Sequence, residues 1–535
     1  MINDKENHTV ELMMRRSMLL ASVFASLVSV TTAIAAPPPL VLAVGGEPET
    51  GFDPIMGWGR YGNPLFQATL LRRDADLEMV GSLATDWSLS DDRLVWTVTI
   101  RKDAKFSDGI PLTAKDVAFT FNAARDAGGL TDMKNLKEAL ATSPNKVEFE
   151  LKKPQITFTS HLVALGIVPK GSYGDDYARH PIGAGPFKMV EWREGEQLIV
   201  EPNPYWYGEK IAFPRVTFVF GEEAVALNLA RSGAAHLVAV PPTDAEQVPG
   251  GMHVKYVDTV DNRGIAFPML PSGGQTKDGA PIGNDVTADR SIRVAINQGL
   301  DRAALVALAL NGHGTPAYGP VDGLPWDNPD AHLEGGDVDA AKATLDAAGW
   351  QDENGDGIRE KDGLEARFPL IYPASDSLRQ ALALGAAEQM RALGIIAEPR
   401  GLSWDAIGKE MHASAVVLGW GAHDPSEIYA LYHGSNAGVE WYNTGFYRNA
   451  TVDAHLDAAQ SAASFKASLP EWKAAQWDGK TGFSAKGDAP WAWMVNIDHA
   501  YWISDCLDIG PVQIEPHGHG YPITQGLPSW KWTCE

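Results

Sequence analysis

Apolar and polar residues alternate over Val95–Ile100, with Trp96, Val98 and Ile100 on one face and Val95, Thr97 and Thr99 on the other, the period of a half-buried strand. Asp108-Gly109 then turns the chain. Thr113, with Asp116 three residues on, predicts a capped helix whose apolar positions are Val117, Phe119, Phe121 and Ala124. "KVEFELKKP" alternates again, and "PIGAGPFKMVEWREGEQLIVEPNPYWYG" pairs a Gly-rich turn with two strands and an aromatic loop. Upstream, "LVLAVGG" (Leu40 to Gly46) is a short apolar run closed by two glycines, which predicts a buried strand that opens a domain. From Ser291 the period lengthens. "SIRVAINQGLDRAALVALALNGHG" predicts one long amphipathic helix ending at Gly312, and "DVDAAKATLDAAGW" predicts a second.

One apolar run does not belong to this pattern. Arg15 and Arg16 precede Met18 to Ala36, which ends in Ala33-Ile34-Ala35 followed by three prolines, the form of a secretory signal peptide cleaved near Ala35 or Ala36. Residues 1 to 12 read as an over-called start, with Met13 or Met14 opening a normal n-region. No cysteine follows the run to carry a lipid, so the mature protein is expected to be exported, without an anchor, to the periplasm. Removing residues 1 to 35 takes three bases (Lys5, Arg15, Arg16) and three acids (Asp4, Glu6, Glu11), leaving the net charge at -24. Such a surface repels nucleic acid and anionic lipid. The only cysteines, Cys506 and Cys534, form an even pair in an exported chain, which favours one disulfide over two free thiols. The closed loop would constrain the unfolded chain by roughly 3.5 kcal/mol. The 535 residues suffice for two or three domains.

"RKDAKFSDGIPLTAKDVAFTFN", "PIGAGPFKMVEW", "NPYWYG" and "SIRVAINQGLDRAALVALALNGHGTPAYGPV" resemble, in order, the signature segments of family 5 extracytoplasmic solute-binding proteins, the peptide, nickel and opine receptors of ABC importers. The resemblance implies a two-lobed α/β periplasmic binding protein fold, with an extra subdomain in the first lobe and ligand in the interlobe cleft. It implies no enzymatic activity. After a signal peptide at 1–36, lobe Ia is expected at 37–70 and 206–288, subdomain Ib at 71–205, lobe II at 289–494, and a return to lobe Ia with a histidine loop at 495–535. The implied partners are a small-molecule ligand and membrane permease subunits, with the receptor itself a monomer. Hinge closure would capture the ligand.

"GGEPETGFDPIMGWGRYGNPLFQATLLRRD" and "CLDIGPVQIEPHGHGYPI" resemble the nickel-binding branch more than the peptide branches. The resemblance implies that a loop histidine binds the nickel of a small chelate, often with free histidine as the chelator. His517 and His519 are the local candidates for the transported metal, and no prosthetic group is implied. Imidazole suits nickel, and a chelator would supply the donors that two protein ligands leave open. The bland alternative is a Gly-rich turn with solvated histidines. The stretch Phe158 to Gly171 has no arginine to hold a chelator's carboxylates, which argues against a polycarboxylate metallophore.

"VVLGWGAHDPSEIYALYHG" is a buried strand running into a Gly-rich loop. In peptide-binding relatives an aspartate here pairs with a ligand amino group, and Asp424 is the matching position; its other reading is a helix cap beside Pro425. Trp420 is the associated cleft-wall candidate. His423 and His433 read as polar or hydrogen-bonded residues rather than ligands. Trp58, Arg60 and Tyr61 follow the "GFDP" element that borders the cleft in relatives, Arg60 offering its planar fork to a carboxylate. Tyr442 and Asn443 complete the set. "DENGDGIREKDG" starts like an EF-hand with Asp352, Asn354, Asp356 and Gly357, but position 12 is Gly363, so it is expected to be a polar surface turn. No zincin, nucleophile-elbow or P-loop motif occurs. The runner-up function is a short-peptide or opine-like receptor, and a carboxylate-based secreted hydrolase is the minor alternative.

Overall fold

The computed structural model describes residues 37–74, 77–439, 441–518 and 521–534. The signal-peptide segment lies outside the described residues, as does His519. Among the described residues, Pro38–Thr533 forms one body built on three large sheets and four two-stranded ones.

The apolar run at Leu40 is the central strand Leu40–Ala43 of a seven-stranded sheet, paired in parallel with Val216–Val219 and Leu237–Val240. Helix Glu223–Arg231 links those two neighbours, as a parallel pair requires. Outward lie antiparallel strands: Gln197–Pro202 and Phe187–Arg193 on one side, His499–Ser504 and Met252–Val257 on the other.

The alternation at Val95–Ile100 is realised in a four-stranded antiparallel sheet, in which Trp96, Val98 and Ile100 are buried as predicted. Helix Ala114–Ala127 covers that face with Val117, Phe121 and Ala124. Its start is the predicted reciprocal cap, the Thr113 amide donating to Asp116 Oδ2 at 2.9 Å. Gly109 sits at φ +88, where a side chain would be strained and would crowd Tyr205 at 3.0 Å.

A six-stranded mixed sheet carries the second large core. Strand Asn262–Ala266, buried at every position, lies between Trp491–Ile497 and Ala415–Trp420. The long helix expected from Ser291 is two helices, Arg290–Gly299 and Arg302–Leu310. Asp301 stops the first and caps the second, accepting from the Ala304 amide at 2.9 Å. Gly299 lets Leu393 approach to where a Cβ would stand 2.7 Å away. The next predicted helix runs Val338–Ala347.

The chain crosses between the two large sheets at 258–261 and again at Asp498. Strand Asn262–Ala266 pairs in the six-stranded sheet, and strands Phe187–Arg193 and Gln197–Pro202 pair in the seven-stranded sheet, long-range pairings that no local pattern encodes. Both cysteines are disulfide-bonded, and the chain has no others.

Candidate functional site

A cavity of about 760 Å³ opens between residues near the first strands and the loop that leaves strand Ala415–Trp420. Its size lies within the usual range for small-molecule sites. Arg60, Tyr61, Trp420, Asp424 and Tyr442 line it, as expected. Trp58 and Asn443 do not. The Trp58 indole packs edge-on against Phe52 and donates to the Pro64 carbonyl at 2.7 Å. Asn443 is buried and spends its amide on Tyr447, accepting from that backbone N–H and donating to that carbonyl, each at 2.8 Å. Both side chains brace the wall from behind.

Asp53 positions the Arg60 loop by capping the turn Pro54–Met56, accepting from the Ile55 amide at 2.9 Å and from the Tyr173 hydroxyl at 2.8 Å. Arg60 lies over the Tyr61 ring at 5.1 Å and within electrostatic reach of Tyr442 and Glu427. On the opposite wall Trp420 stacks on Tyr442 with ring centroids 5.2 Å apart, and the Tyr442 hydroxyl donates to the Leu130 carbonyl at 3.1 Å. Asp424 precedes the helix cap at Pro425, and one of its oxygens accepts from the Ser426 amide at 2.9 Å and from the Ser426 hydroxyl.

Cavity-lining residues that the motif reading did not assign to the ligand include Arg73, Arg125, His161, His423 and Glu427. Arg73, at the end of strand Leu71–Arg73, and Arg125 bring the guanidinium groups lining the cavity to three with Arg60. His423 was expected to be an ordinary polar residue. It is 9% exposed on the cleft wall; burial, reinforced by Arg73, pushes it down to about 4, so the ring is uncharged at neutral pH. Burial likewise lowers His161. Burial pushes the Glu427 carboxyl up to about 8, against the backbone N–H of Gly421 that bonds its Oε2 at 3.0 Å. The i, i+4 spacing of His423 and Glu427 across the start of helix Ser426–Tyr432 was the available signal.

His517 lies behind the rim. Pro516 reaches the cavity, whereas the His517 ring is buried, its backbone N–H donating to Gly421 and its Nδ1 2.5 Å from Asp261 Oδ1. Burial pushes this histidine down to about 4, so Nδ1 carries the proton and donates to Asp261. Asp261 also takes Arg263 on Oδ1 and His499 Nε2 on Oδ2 at 3.1 Å, while His499 Nδ1 reaches Glu515 at 2.7 Å. This network sits on the two crossings between the large sheets.

Among the described residues, groups of three acids or histidines close enough to hold one ion lie outside the cleft, at Asp322, Asp327 and His332 and at Asp352, Asp356 and Glu360. In the second, the EF-hand-like segment, Asp352 accepts from the Gly355 and Gly357 amides as a turn does. No helix among the described residues is long and apolar enough to cross a membrane.

Residues 78–439 match the model for bacterial extracellular solute-binding proteins, family 5. Protein XP55 of Streptomyces lividans is 33% identical over 497 residues, covering 89% of this chain and 86% of the relative. The oligopeptide-binding protein AppA of Bacillus subtilis is 29% identical, covering 76% and 77%. The crystal structure of NikZ from Campylobacter jejuni in complex with Ni(L-His) superposes with a TM-score of 0.79 at 21% identity, covering 92% of this chain and 99% of that one. The matched family model, the identity to XP55 and the shared two-lobed fold with its cleft establish that this chain belongs to the family 5 extracellular solute-binding proteins, the substrate-binding components of ABC importers.

Proposed function

We propose that the protein captures a small nickel chelate, such as nickel with free histidine, as a periplasmic monomer and delivers it to the inner-membrane permease. The observation that carries this reading is the donor set of one cavity. The guanidinium groups of Arg60 and Arg73 suit a chelator's carboxylates, and the uncharged imidazoles of His161 and His423 suit a borderline metal. Pro516, next to His517, reaches the cavity. The fold shared with NikZ, whose structure holds Ni(L-His), is consistent with it. Binding a ligand that touches both walls would stabilise the closed state by its differential affinity. The second reading, a short-peptide receptor, is favoured by AppA among the relatives and by the carboxyl groups of Asp424 and Glu427 in the same cavity.

Calorimetric titration of the metal-stripped protein with nickel alone, histidine alone and both together tests the proposal. Heat only with both establishes a chelate receptor. Silence in all three, with a response to dipeptides, moves the ligand to the peptide class.

A further inference from the structure

One wall of the cavity carries Lys153 and Gln155, the other Tyr429 and Gln460. The first pair lies on the segment that leaves the four-stranded sheet after strand Lys146–Leu151, and Gln460 ends helix Ala450–Gln460, which packs into the core beside the six-stranded sheet through Val452, Leu456 and Ala459. Far along the chain from both crossings between the large sheets, these two walls bond to each other directly.

A helix end leaves its last carbonyls without partners inside the helix. Here the partners come from the opposite wall. The Ile156 amide donates to the Gln460 carbonyl at 2.8 Å, and Arg93 Nη1 donates to the Ser461 carbonyl at 2.5 Å. The Thr157 hydroxyl donates to Gln460 Oε1 at 2.8 Å, with Thr157 2% and Gln460 7% exposed. Arg93 and Lys153 also bring positive charge to the negative end of the helix dipole.

These contacts differ in worth. Lys153 and Asp457 stand 3.6 Å apart with both side chains more than half exposed, so that pair contributes little. The Thr157–Gln460 bond is buried, and an acceptor left unpaired there is costly only while the walls are shut, because parting them returns Gln460 to water. Arg93 makes its bond from a backbone at φ 62, in the turn that joins two strands of the sheet, a conformation unfavourable for a residue with a side chain. No ligand takes part in any of these bonds.

We propose that Arg93, Thr157 and Gln460 form a clasp that holds the two walls together in the ligand-free protein, so that a closed form is populated before ligand arrives. Thr157 and Gln460 are thus positioning residues. They set the fraction of protein that is competent to bind, and the apparent affinity for any ligand scales with that fraction. The clasp works alike for a chelate and for a peptide.

The experiment places spin labels at Lys146→Cys and Lys466→Cys, exposed positions on either side of the clasp, and measures their separation in the ligand-free mature protein by pulsed electron resonance. Thr157→Val, Thr157→Ser and Arg93→Gly are compared with the labelled parent, while thermal unfolding monitors the fold. The parent is expected to show a short-distance population, and Thr157→Val to lower its ratio to the long-distance one by about 10-fold. Thr157→Ser keeps the hydroxyl and should restore the parent's ratio. Arg93→Gly relieves the left-handed backbone, so it should melt close to the parent and still shift toward the long distance; it gives the decisive reading if Thr157→Val melts early. A parent with only the long distance, or a distance distribution that folded variants leave unchanged, overturns the clasp.

Discussion

The network around Asp261 and the cleft wall from Trp420 to Glu427 adjoin each other, since the His517 amide donates to the Gly421 carbonyl and the Trp420 amide to Asn262 Oδ1. Yet they treat the same residue type in opposite ways. Burial works against charge on His499, but its hydrogen bonds to Asp261 and Glu515 carry it up to about 9, so it is an imidazolium with both nitrogens committed. His423, with no carboxylate on either nitrogen, is neutral and keeps Nε2 unpaired. The Asp261 network commits both His499 nitrogens to carboxylates although Arg263 Nε and Glu515 Oε1 lack partners, whereas the cleft wall leaves a histidine nitrogen unpaired. The contrast teaches that histidines are ranked by their partners, and not by how conspicuous their motif is.

The most forceful way to break the comparison is Asp261→Ala, which leaves Arg263, His499 and His517 without their shared carboxylate. A loss of about 3–5 kcal/mol in denaturant unfolding is expected. A loss below about 1 kcal/mol would mean that the network does not hold the crossings.

Titration probes the same cluster with less force. Because the folded pKa of His499 lies near 9 and the unfolded value near 6.5, its stabilisation is complete below about pH 6.5 and is lost as pH rises through 9. A fall on the order of 3 kcal/mol across that window should be seen by denaturation at fixed pH, and His499→Gln should flatten it.

Glu427 gives stability the same direction of pH dependence for a different reason, the cost of burying an unpaired charge. Its carboxyl is raised from 4.5 to about 8, so burying it costs nothing below pH 4.5 and a growing amount up to pH 8. Glu427→Gln should therefore match wild type near pH 4 and exceed it by on the order of 4 kcal/mol at pH 8. Equal stability at both pH values would show that the carboxyl is not desolvated.

The finest comparison uses two tryptophans. Trp58→Phe removes the indole bond to the Pro64 carbonyl, which keeps only the Phe66 N–H, and should cost about 1 kcal/mol with little change in ligand affinity. Trp420→Phe breaks no hydrogen bond within the protein, so its stability loss of about 1 kcal/mol comes from lost packing alone, and ligand binding should weaken. An equal affinity loss in both would erase the distinction between wall and brace.

Local pattern was legible where the interaction is local. The strand at Val95–Ile100, the Thr113–Asp116 cap and the turn at Gly109 followed from residues within a few positions of one another. Asp301 was also a local signal, and the single-helix reading missed it because apolar spacing continued across the break. Of the site, Arg60, Tyr61, Trp420, Asp424 and Tyr442 were legible because the family's motifs mark the loops that border the cleft. Arg73 and His161 were not, since they reach the cavity from a strand and a helix far from the loop at Trp420.

The amino-acid sequence alone determined the order of elements, the family and several of the loops that line the cavity, because periodicity, caps and turn residues act over short chain distances. Tertiary structure decided which histidine is charged, which is neutral and which polar atoms lack partners. Those properties depend on desolvation and on groups brought together from as far apart as Asp261 and His517, and no local spacing encodes them.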